Sequence, residues 1–171
     1  MDGFRYDTYC GLYCGACDIL CACRDGLESG RAPQWADLPE RFRGQLRRAE
    51  VKCRGCKSDD PFAGCAGCPI RRCARKKGIA GTCRDCGKYP CMIYLLFKLV
   101  WKVRKLDRKL PHWKAAPGNL KAIKTSGVER WLAEQKIKWQ CPDCGTGFTW
   151  YRDKCGKCGR EVGSLKDYNQ L

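Results

Sequence analysis

The sequence predicts a small α+β fold stabilised by metal ions, with a cysteine-knuckle domain, a few helices and a C-terminal zinc-ribbon hairpin. Of the 171 residues, 17 are cysteines, and most form Cys-x2-Cys pairs, the spacing at which two thiolates bind one ion. Large apolar side chains are scarce, because the 44% hydrophobic content counts cysteine and the mean hydropathy is −0.53. Such a chain needs ions or disulfides in place of a large apolar core.

The opening residues and the cysteine spacing indicate a reducing compartment, and we expect the cytoplasm. Residues 1–7 lack the apolar run of a secretory signal. The cysteine pairs are too close and too numerous for structural disulfides, so we expect the thiols to bind metal.

The formal charge of +16 overstates how basic the metal-bound protein is. A divalent ion held by four thiolates carries a net charge of −2, so four such sites would leave the chain at +8 instead of +16. The remaining excess lies in the middle of the chain. We therefore expect an acidic protein partner, or a nucleic acid bound through residues 71–114.

The first element is an opening run of cysteines, in which Cys10, Cys14 and Cys17 are spaced Cys-x3-Cys-x2-Cys. Radical enzymes that use S-adenosylmethionine present this spacing to a four-iron cluster. Those enzymes need a barrel of repeated strand–helix units, which this sequence does not predict. A metal knuckle formed by a turn and a helix is the alternative interpretation.

Residues 37–50 predict a short helix. Asp37 can cap it, and Leu38, Phe42 and Leu46 recur every four residues on one face.

Residues 53–91 are almost entirely cysteine knuckles separated by tight turns. The simplest grouping in chain order has three ions, which bind Cys53, Cys56, Cys65 and Cys68; Cys73, Cys83, Cys86 and Cys91; and Cys10, Cys14, Cys17 and Cys21. Cys23 is then left over. Pairs can also cross, for instance Cys14 and Cys17 with Cys53 and Cys56, because spacing fixes local pairs and not which pairs meet.

Residues 92–110 predict a basic amphipathic helix that closes a cysteine-rich, multi-metal domain over residues 1–110. One apolar seam recurs at helical spacing: Met92, Leu96, Leu99, Val103, Leu106 and Leu110. The many lysines and arginines between these positions exclude a membrane-spanning helix. The seam either packs on the knuckles or faces a partner.

Residues 111–138 predict a linker with short helices. Pro111 and Pro117 mark the linker, residues 119–123 can form one helical turn, and residues 126–129 resemble a capping box that starts a helix of about ten residues. His112, the only histidine, is expected to cap a helix or to be exposed. A catalytic base or a fourth metal ligand is the alternative.

Residues 139–162 predict the zinc ribbon, and residues 163–171 a tail. Its four ligands are two Cys-x2-Cys pairs, namely Cys141, Cys144, Cys155 and Cys158. Gly145 and Gly159 follow the pairs where a positive φ is needed, and residues 148–151 predict a hairpin strand. A site with four protein ligands is closed and structural. A single iron ion is the alternative to zinc.

Several motifs in the same order resemble one known family. They are Cys-Gly-Leu-Tyr-Cys-Gly-Ala-Cys at 10–17, Cys-Pro-Ile-Arg-Arg-Cys-Ala at 68–74, Lys-Gly-Ile at 77–79, Cys-Arg-Asp-Cys at 83–86 and Tyr-Pro-Cys at 89–91. Over roughly residues 8–140 they are similar to the family called domain of unknown function 3795. The resemblance implies a prokaryotic, cysteine-rich, zinc-binding protein with no assigned activity. Cys21 and Cys23 lie beyond the matched motif.

The function that these patterns predict is a multi-zinc structural and interaction module. The alternative is an iron–sulfur or redox protein with one or more all-cysteine sites, holding a [4Fe–4S] cluster or a single iron. Catalysis is not expected, because the sequence has one histidine and no glycine-rich phosphate loop, nucleophile elbow or paired acidic motif. The sequence does not indicate an oligomeric state.

Overall fold

The computed structural model describes residues 3–39 and 49–163, and this part of the chain is mostly helical. Its α-helices are α1 Asp18–Ser29, α2 Ala63–Ala66, α3 Pro69–Lys76, α4 Met92–Val103, α5 Leu106–Lys109, α6 Ala116–Ser126 and α7 Val128–Lys138. Short 3-10 turns occur at Cys14–Ala16, Trp35–Asp37, Cys83–Asp85 and Pro111–Ala115. The helix predicted over 37–50 falls largely on residues 40–48, which lie outside the described residues.

The β part of the predicted α+β class is not supported. Over residues 3–39 and 49–163 there is no strand, and the only pairings are isolated antiparallel bridges at Gln140–Gly147 and Lys154–Glu161. The backbone of the predicted hairpin strand makes contacts elsewhere: the N–H of Trp150 donates to the carbonyl of Ala16 at 2.9 Å. Phe148 still donates its N–H to the carbonyl of Trp139 at 2.9 Å, but Trp150 pairs with the turn before α1, so residues 148–151 form no ladder.

The predicted helix over 92–110 forms in two pieces. Helix α4 ends at Val103, and Lys105 adopts a left-handed conformation with φ of 52° before α5 begins. A lysine in this conformation interrupts the α-helical hydrogen bonds. The apolar seam is therefore continuous only along α4.

Helix α6 corrects the prediction of a linker, and helix α7 confirms the helix predicted after it. Helix α6 begins at Ala116 and includes Pro117 and Gly118, because proline fits the first helical turn, where no N–H is required. Helix α7 has the predicted position, but Gly127 and not a serine precedes it as the cap residue. The Ser126 hydroxyl instead donates to the carbonyl of Ala122 at 3.0 Å.

Two clusters of buried side chains form the interior. The larger one is rich in aromatic residues and contains Phe4, Tyr13, Ile19, Leu20, Leu38, Phe62, Trp131, Trp139, Trp150 and Tyr151. It joins residues from the predicted domain 1–110, the segment 111–138 and the ribbon. The smaller one contains Tyr9, Cys10, Leu12, Ile70, Ala74, Tyr94, Ala116 and Leu120. The opening cysteine run lies between the two clusters.

In the described part of the chain, none of the helices combines the length and apolar character needed to cross a bilayer. The longest of them, α1 and α4, have 12 residues each.

Candidate metal centres

Four thiols converge within residues 139–162, a segment that we call the ribbon after its predicted cysteine pairs, although it forms no hairpin ladder. The Sγ atoms of Cys141, Cys144, Cys155 and Cys158 all lie within 4.8 Å of one another. Two contacts cross between the knuckles, with Cys141 Sγ to Cys158 Sγ and Cys144 Sγ to Cys155 Sγ both at 3.5 Å. Such a group of thiols can hold one metal ion.

The two knuckles have the same backbone hydrogen bonds. The N–H of Cys141 donates to the carbonyl of Thr146 at 2.8 Å, and the N–H of Cys155 donates to that of Arg160 at 2.7 Å. Gly145 and Gly159 have φ values of 69° and 76°, as predicted from their place after each pair. A residue with a Cβ would be strained at these positions, so glycine permits each turn to close.

Hydrogen bonds favour the ionised form of two of these thiols. The Thr146 side chain, followed by its backbone N–H, lowers the pKa of Cys144 to about 6. The backbone N–H groups of Cys158 and Lys157 lower the pKa of Cys155. Because metals bind thiolates, these donors prepare the sulfurs for an ion. The role of Thr146 was not predicted, although its position two residues after Cys144 is a usable signal.

The ribbon is attached to α1 by buried polar contacts. The Thr149 hydroxyl donates to the carboxylate of Asp18 at 2.5 Å. Burial raises the pKa of Asp18 to about 6, although the hydrogen bond from Thr149 opposes the shift. Within the ribbon, Arg160 forms an ion pair with Asp143, which lies between the cysteines of the other knuckle.

His112 is buried at 4% exposure, and the expectation of an exposed imidazole is wrong. Its ring stacks on the indole of Trp150, and its Nδ1 hydrogen-bonds the hydroxyl of Tyr151. Burial lowers the pKa of His112 to about 3, so the ring is neutral near pH 7. His112 is covered by aromatic residues of the ribbon. These residues lie far from His112 in the sequence.

The cysteines of the opening run divide between the two cores. Cys14 and Cys17 pack against the larger cluster, which contains the buried Cys53. Cys10 belongs to the smaller cluster, against which Cys56 packs. The two members of the Cys53–Cys56 pair therefore contact different clusters. The larger cluster thus has Cys53 beside Cys14 and Cys17, and the smaller has Cys56 beside Cys10, so both the chain-order and the crossed grouping stay predictions.

Several cysteines outside the ribbon have the same local geometry as those within it. In each case a backbone N–H two residues later donates to the sulfur and favours the thiolate, although burial or neighbouring thiols still raise the pKa of Cys10, Cys53 and Cys158. Within the ribbon the three instances are Cys144 with Thr146, Cys155 with Lys157 and Cys158 with Arg160. Elsewhere they are Cys10 with Leu12, Cys53 with Gly55 and Cys86 with Lys88. This shared turn is the local form expected of a metal knuckle.

Cys21 and Cys23 have a different environment, because their thiols donate hydrogen bonds to carbonyl groups. Cys21 donates to Gly15 at 3.2 Å, and Cys23 donates to Val51 at 3.4 Å. Burial raises their pKa values to about 12 and about 11. These bonds suit protonated thiols. The predicted ligand role of Cys21 stays a prediction.

Cys83 is influenced by three of its predicted partners, Cys73, Cys86 and Cys91. Burial raises the pKa of Cys83 to about 12, and the nearby charges of other cysteines contribute to the shift, namely those of Cys10, Cys91, Cys73 and Cys86. Cys86 is the exception in the set: the backbone N–H of Lys88 lowers its pKa, and Lys77 Nζ lies 3.6 Å from its sulfur. Because Cys10 also influences Cys83, the grouping of Cys73, Cys83, Cys86 and Cys91 on one ion stays a prediction.

Two glycines that bring the knuckles close to other segments were not predicted as functional. A Cβ on Gly55 would lie 2.0 Å from the carbonyl oxygen of Arg5, and one on Gly11 would lie 2.8 Å from that of Ala116. Both have positive φ, 109° and 87°. The position of Gly55 inside a Cys-x2-Cys pair indicated a tight turn. The spacing of the cysteines could not show which segment lies against that turn.

Comparison with known proteins identifies the cysteine-rich part of the chain. Residues 6–94, just over half of the 171, match a family described as "Protein of unknown function (DUF3795)". The match ends at residue 94, within α4, and is therefore shorter than the resemblance over residues 8–140 that the motifs predicted. No curated protein and no solved structure shows a significant similarity to the chain.

Proposed function

This chain belongs to the DUF3795 family, and we propose that it is a zinc-stabilised interaction module that binds an acidic protein partner. The observation that carries the metal part of this proposal is the convergence of four thiols at the C-terminal site. The observation that carries the partner part is an exposed apolar face on α4 bordered by cations. Each part has its own test.

Zinc is the ion that suits the C-terminal site best. Thiolates about 2.3 Å from a tetrahedral zinc lie slightly less than 4 Å apart, close to the 3.5 Å between Cys141 and Cys158. Because four cysteines complete the coordination, no position is left for a substrate or water, and the ion is structural. A single iron ion would need the same ligands, so elemental analysis of protein purified without oxygen decides between the two metals.

The exposed face of α4 is large for such a short helix. Its aromatic residues turn inward, with Tyr94 buried, while the predicted seam faces outward. Met92, Leu99 and Val103 are exposed by 69%, 55% and 71%, and they are joined by Ile93, Leu95, Leu96 and Val100. A contiguous apolar face of this kind on a protein surface marks a site of association.

The charges around this face favour an acidic partner. No acidic residue occurs between Asp85 and Asp107, while Lys98, Lys102 and Arg104 flank the apolar row. The neighbouring helix α3 adds Arg72, Arg75 and Lys76, and Lys77 follows it; together with Ile93 these cations line an open cleft. A second copy of the chain would bring like charges together. An acidic amphipathic helix would satisfy both the apolar row and its cationic borders.

A nucleic acid fits this surface less well than a protein. Phosphates would pair with the cations, but they would leave the aliphatic side chains of α4 uncovered. Aromatic side chains suited to base stacking, such as Phe97 and Trp101, are partly buried against Trp113. Nucleic-acid binding is therefore an outcome that the experiment must distinguish.

The experiment titrates the metal-loaded protein against a synthetic amphipathic helix of leucine and glutamate, and separately against single-stranded and duplex oligonucleotides. We expect peptide binding that weakens with salt, and at least a tenfold loss of affinity for the double variant Leu96→Gln, Leu99→Gln. The matched control is Leu27→Gln, because Leu27 is 60% exposed on α1. Tighter binding to an oligonucleotide, insensitive to the leucine changes, would replace the protein partner with a nucleic acid.

The thiol chemistry also bears on where such a module works. Zinc binding requires the cysteines to stay reduced, and a cytoplasm provides that condition. The proposal therefore includes a cytoplasmic location.

A further inference from the structure

A cavity beside helix α1, which we call the α1 cavity, is separate from the surface of the proposed function, because no residue of α3 or α4 lines it. Its walls come from α1, from the following loop at 31–39 and from two ribbon residues, Thr149 and Arg152. Its volume is about 290 Å³, the volume that about ten molecules of liquid water occupy. The α1 cavity is therefore large enough for a compact solute and too small for a nucleotide cofactor.

The wall formed by α1 is one complete helix face. Its residues recur every three or four positions, namely Asp18, Cys21, Ala22, Asp25, Gly26 and Ser29. None of them carries a large apolar side chain, whereas Ile19 and Leu20 on the same helix pack in the larger core. Because these short and polar side chains cannot fill the space beside the helix, a cavity remains there.

The loop that forms the second wall is held against α1 by its own backbone. The N–H of Arg31 donates to the carbonyl of Gly26 at 3.0 Å, and a Cβ on Gly26 would lie only 2.6 Å from the Arg31 carbonyl oxygen. Asp37 accepts from the N–H of Gln34 at 2.8 Å and pairs with Arg31 at 2.9 Å. These contacts shape the wall without a ligand, which lowers the cost of binding one.

The buried carboxylate of Asp18 lines the α1 cavity and is only 3% exposed. Its Oδ1 accepts a hydrogen bond from the Thr149 hydroxyl at 2.5 Å. Its own backbone N–H and the charge of Arg152 also act on the carboxylate. Its Oδ2, however, is buried and has no hydrogen-bond partner in the part of the chain that the structure describes. A buried carboxylate oxygen without a donor is unfavourable, so a ligand that donates to it would be stabilised.

The other charged groups of the α1 cavity narrow the choice of ligand. Asp25 pairs with Arg24 at 3.0 Å, and Asp37 pairs with Arg31. A divalent metal ion is unsuitable, because it requires several oxygen ligands and the cations Arg31 and Arg152 line the same space. An anion would be repelled by the buried carboxylate. An ammonium group carries one positive charge and three donors, which match a single carboxylate.

We propose that the α1 cavity binds the ammonium group of a compact amine, with the Asp18 carboxylate as its counter-ion. Thr149 orients the carboxylate through Oδ1 and leaves Oδ2 for the amine. Asp25 lines the same cavity with a side chain that is 63% exposed, and it marks the side on which the amine enters. Two sources supply this chemistry: a free small amine, or a lysine side chain of another protein.

The first test titrates the native, metal-loaded full chain at pH 7.5 and records its ¹H–¹⁵N NMR spectrum. We expect ethylammonium or Nα-acetyl-lysine N-methylamide to cause saturable shifts of the amide signals of Ala22, Gly26 and Thr149, with millimolar affinity. Tighter binding of ethylammonium identifies a free amine, and tighter binding of the lysine derivative identifies a side chain. Ethanol has the same size as ethylammonium but no charge, and it should cause no saturable shift.

The absence of saturable shifts with both amines would overturn the proposal, and the cavity would then hold only water. Equal affinity for ethanol and ethylammonium would also overturn it, because the carboxylate would then have no part in recognition.

The second test uses Asp18→Asn, which keeps the shape of the side chain and an oxygen for Thr149 but removes the charge. Amine affinity should fall at least tenfold. The matched control is Asp59→Asn, because the Asp59 side chain is 94% exposed and does not line the α1 cavity; its amine affinity should equal that of the wild type. Undiminished binding by Asp18→Asn would contradict the proposed counter-ion.

Thermal unfolding without amine separates a binding role of Asp18 from a structural one. The midpoint of Asp18→Asn should not fall, because the substitution removes a buried charge whose Oδ2 has no partner. A lower midpoint, together with no amine binding by the wild type, would make Asp18 purely structural. If Asp18→Asn does not fold, the comparison of ethylammonium with ethanol on the native protein decides. Neither test depends on whether α4 binds the acidic peptide.

Discussion

The imidazole of His112 lies face to face with the indole of Trp150, with ring centroids 4.0 Å apart and ring planes 10° from parallel. His112 belongs to the turn Pro111–Ala115, and Trp150 lies between the two cysteine knuckles of the ribbon. The neighbouring Tyr151 hydroxyl hydrogen-bonds Nδ1 of the same ring. The ribbon is therefore fixed to the middle of the chain by a neutral, buried histidine.

The first prediction is that His112 makes the protein less stable as the pH falls. Burial lowers its pKa to about 3, whereas an unfolded histidine titrates near 6.5. Between these values the unfolded state binds more protons than the folded state does. The neutral His112 ring therefore stabilises the fold fully above about pH 6.5, and this stabilisation is lost as the pH falls towards 3. The expected slope is about 1.4 kcal/mol per pH unit.

The measurement is denaturant unfolding of the wild type and of His112→Phe from pH 7.5 to 4. Phenylalanine keeps an aromatic ring against Trp150 but cannot take up a proton. Acid also releases metal, and it does so in both proteins, so the difference between their free energies of unfolding isolates the histidine. A difference that does not change with pH would contradict the buried neutral ring.

The second prediction concerns Gly55. Gly55→Ala should lower the free energy of unfolding by at least about 2 kcal/mol, because φ is 109° and a Cβ would lie 2.0 Å from the Arg5 oxygen. The matched control is Gly118→Ala in α6, where a Cβ would meet nothing within 4 Å. There alanine should be neutral or stabilising, by up to about 1 kcal/mol. Thermal unfolding of both variants checks the contrast.

The third prediction compares two leucines of opposite burial. Leu120→Ala should cost about 2–5 kcal/mol, because Leu120 is 0% exposed in the smaller core. Leu99→Ala should change stability by no more than about 0.5 kcal/mol, since its side chain is largely in water. Chemical denaturation measures both values. A large cost for Leu99→Ala would mean that the face of α4 already has an intramolecular partner.

The fourth prediction concerns removal of the metal. A strong chelator, added under reducing conditions, should abolish the near-ultraviolet circular dichroism of buried residues such as Trp131 and Trp139, because the two small cores depend on the thiolate sites that hold the loops. Re-addition of zinc or of iron and sulfide should restore it. If the metal-free protein kept the signal, the apolar clusters would be sufficient to maintain the fold without metal.

Short-range patterns predicted the parts of this protein that short-range physics determines. Two Cys-x2-Cys pairs ten residues apart bring Cys144 and Cys155 together, and the glycines after each pair have the expected positive φ. Helix α7 was likewise evident from its own residues. In these cases the contacts that decide the structure lie within a few residues of one another.

The parts that sequence reasoning missed depend on contacts between distant segments. Periodicity showed two apolar ridges on residues 92–103, but it could not show that Tyr94 would face the core while Leu99 faced water. Residues 148–151 read as a strand because of their β-prone side chains, yet Trp150 pairs with Ala16. The division of the opening cysteines between two cores likewise depends on which loops meet, and spacing does not encode this.

The hydrogen bond from Trp150 to Ala16 has a consequence for biosynthesis. The opening cysteines leave the ribosome early, whereas the residues that cover Ala16 follow more than a hundred codons later. Throughout that interval the contact between Trp150 and Ala16 cannot form, so Cys14 and Cys17 lack the aromatic residues of the ribbon that belong to the cluster against which they pack. The segment that holds the opening cysteines therefore reaches its folded environment only after translation has passed Trp150.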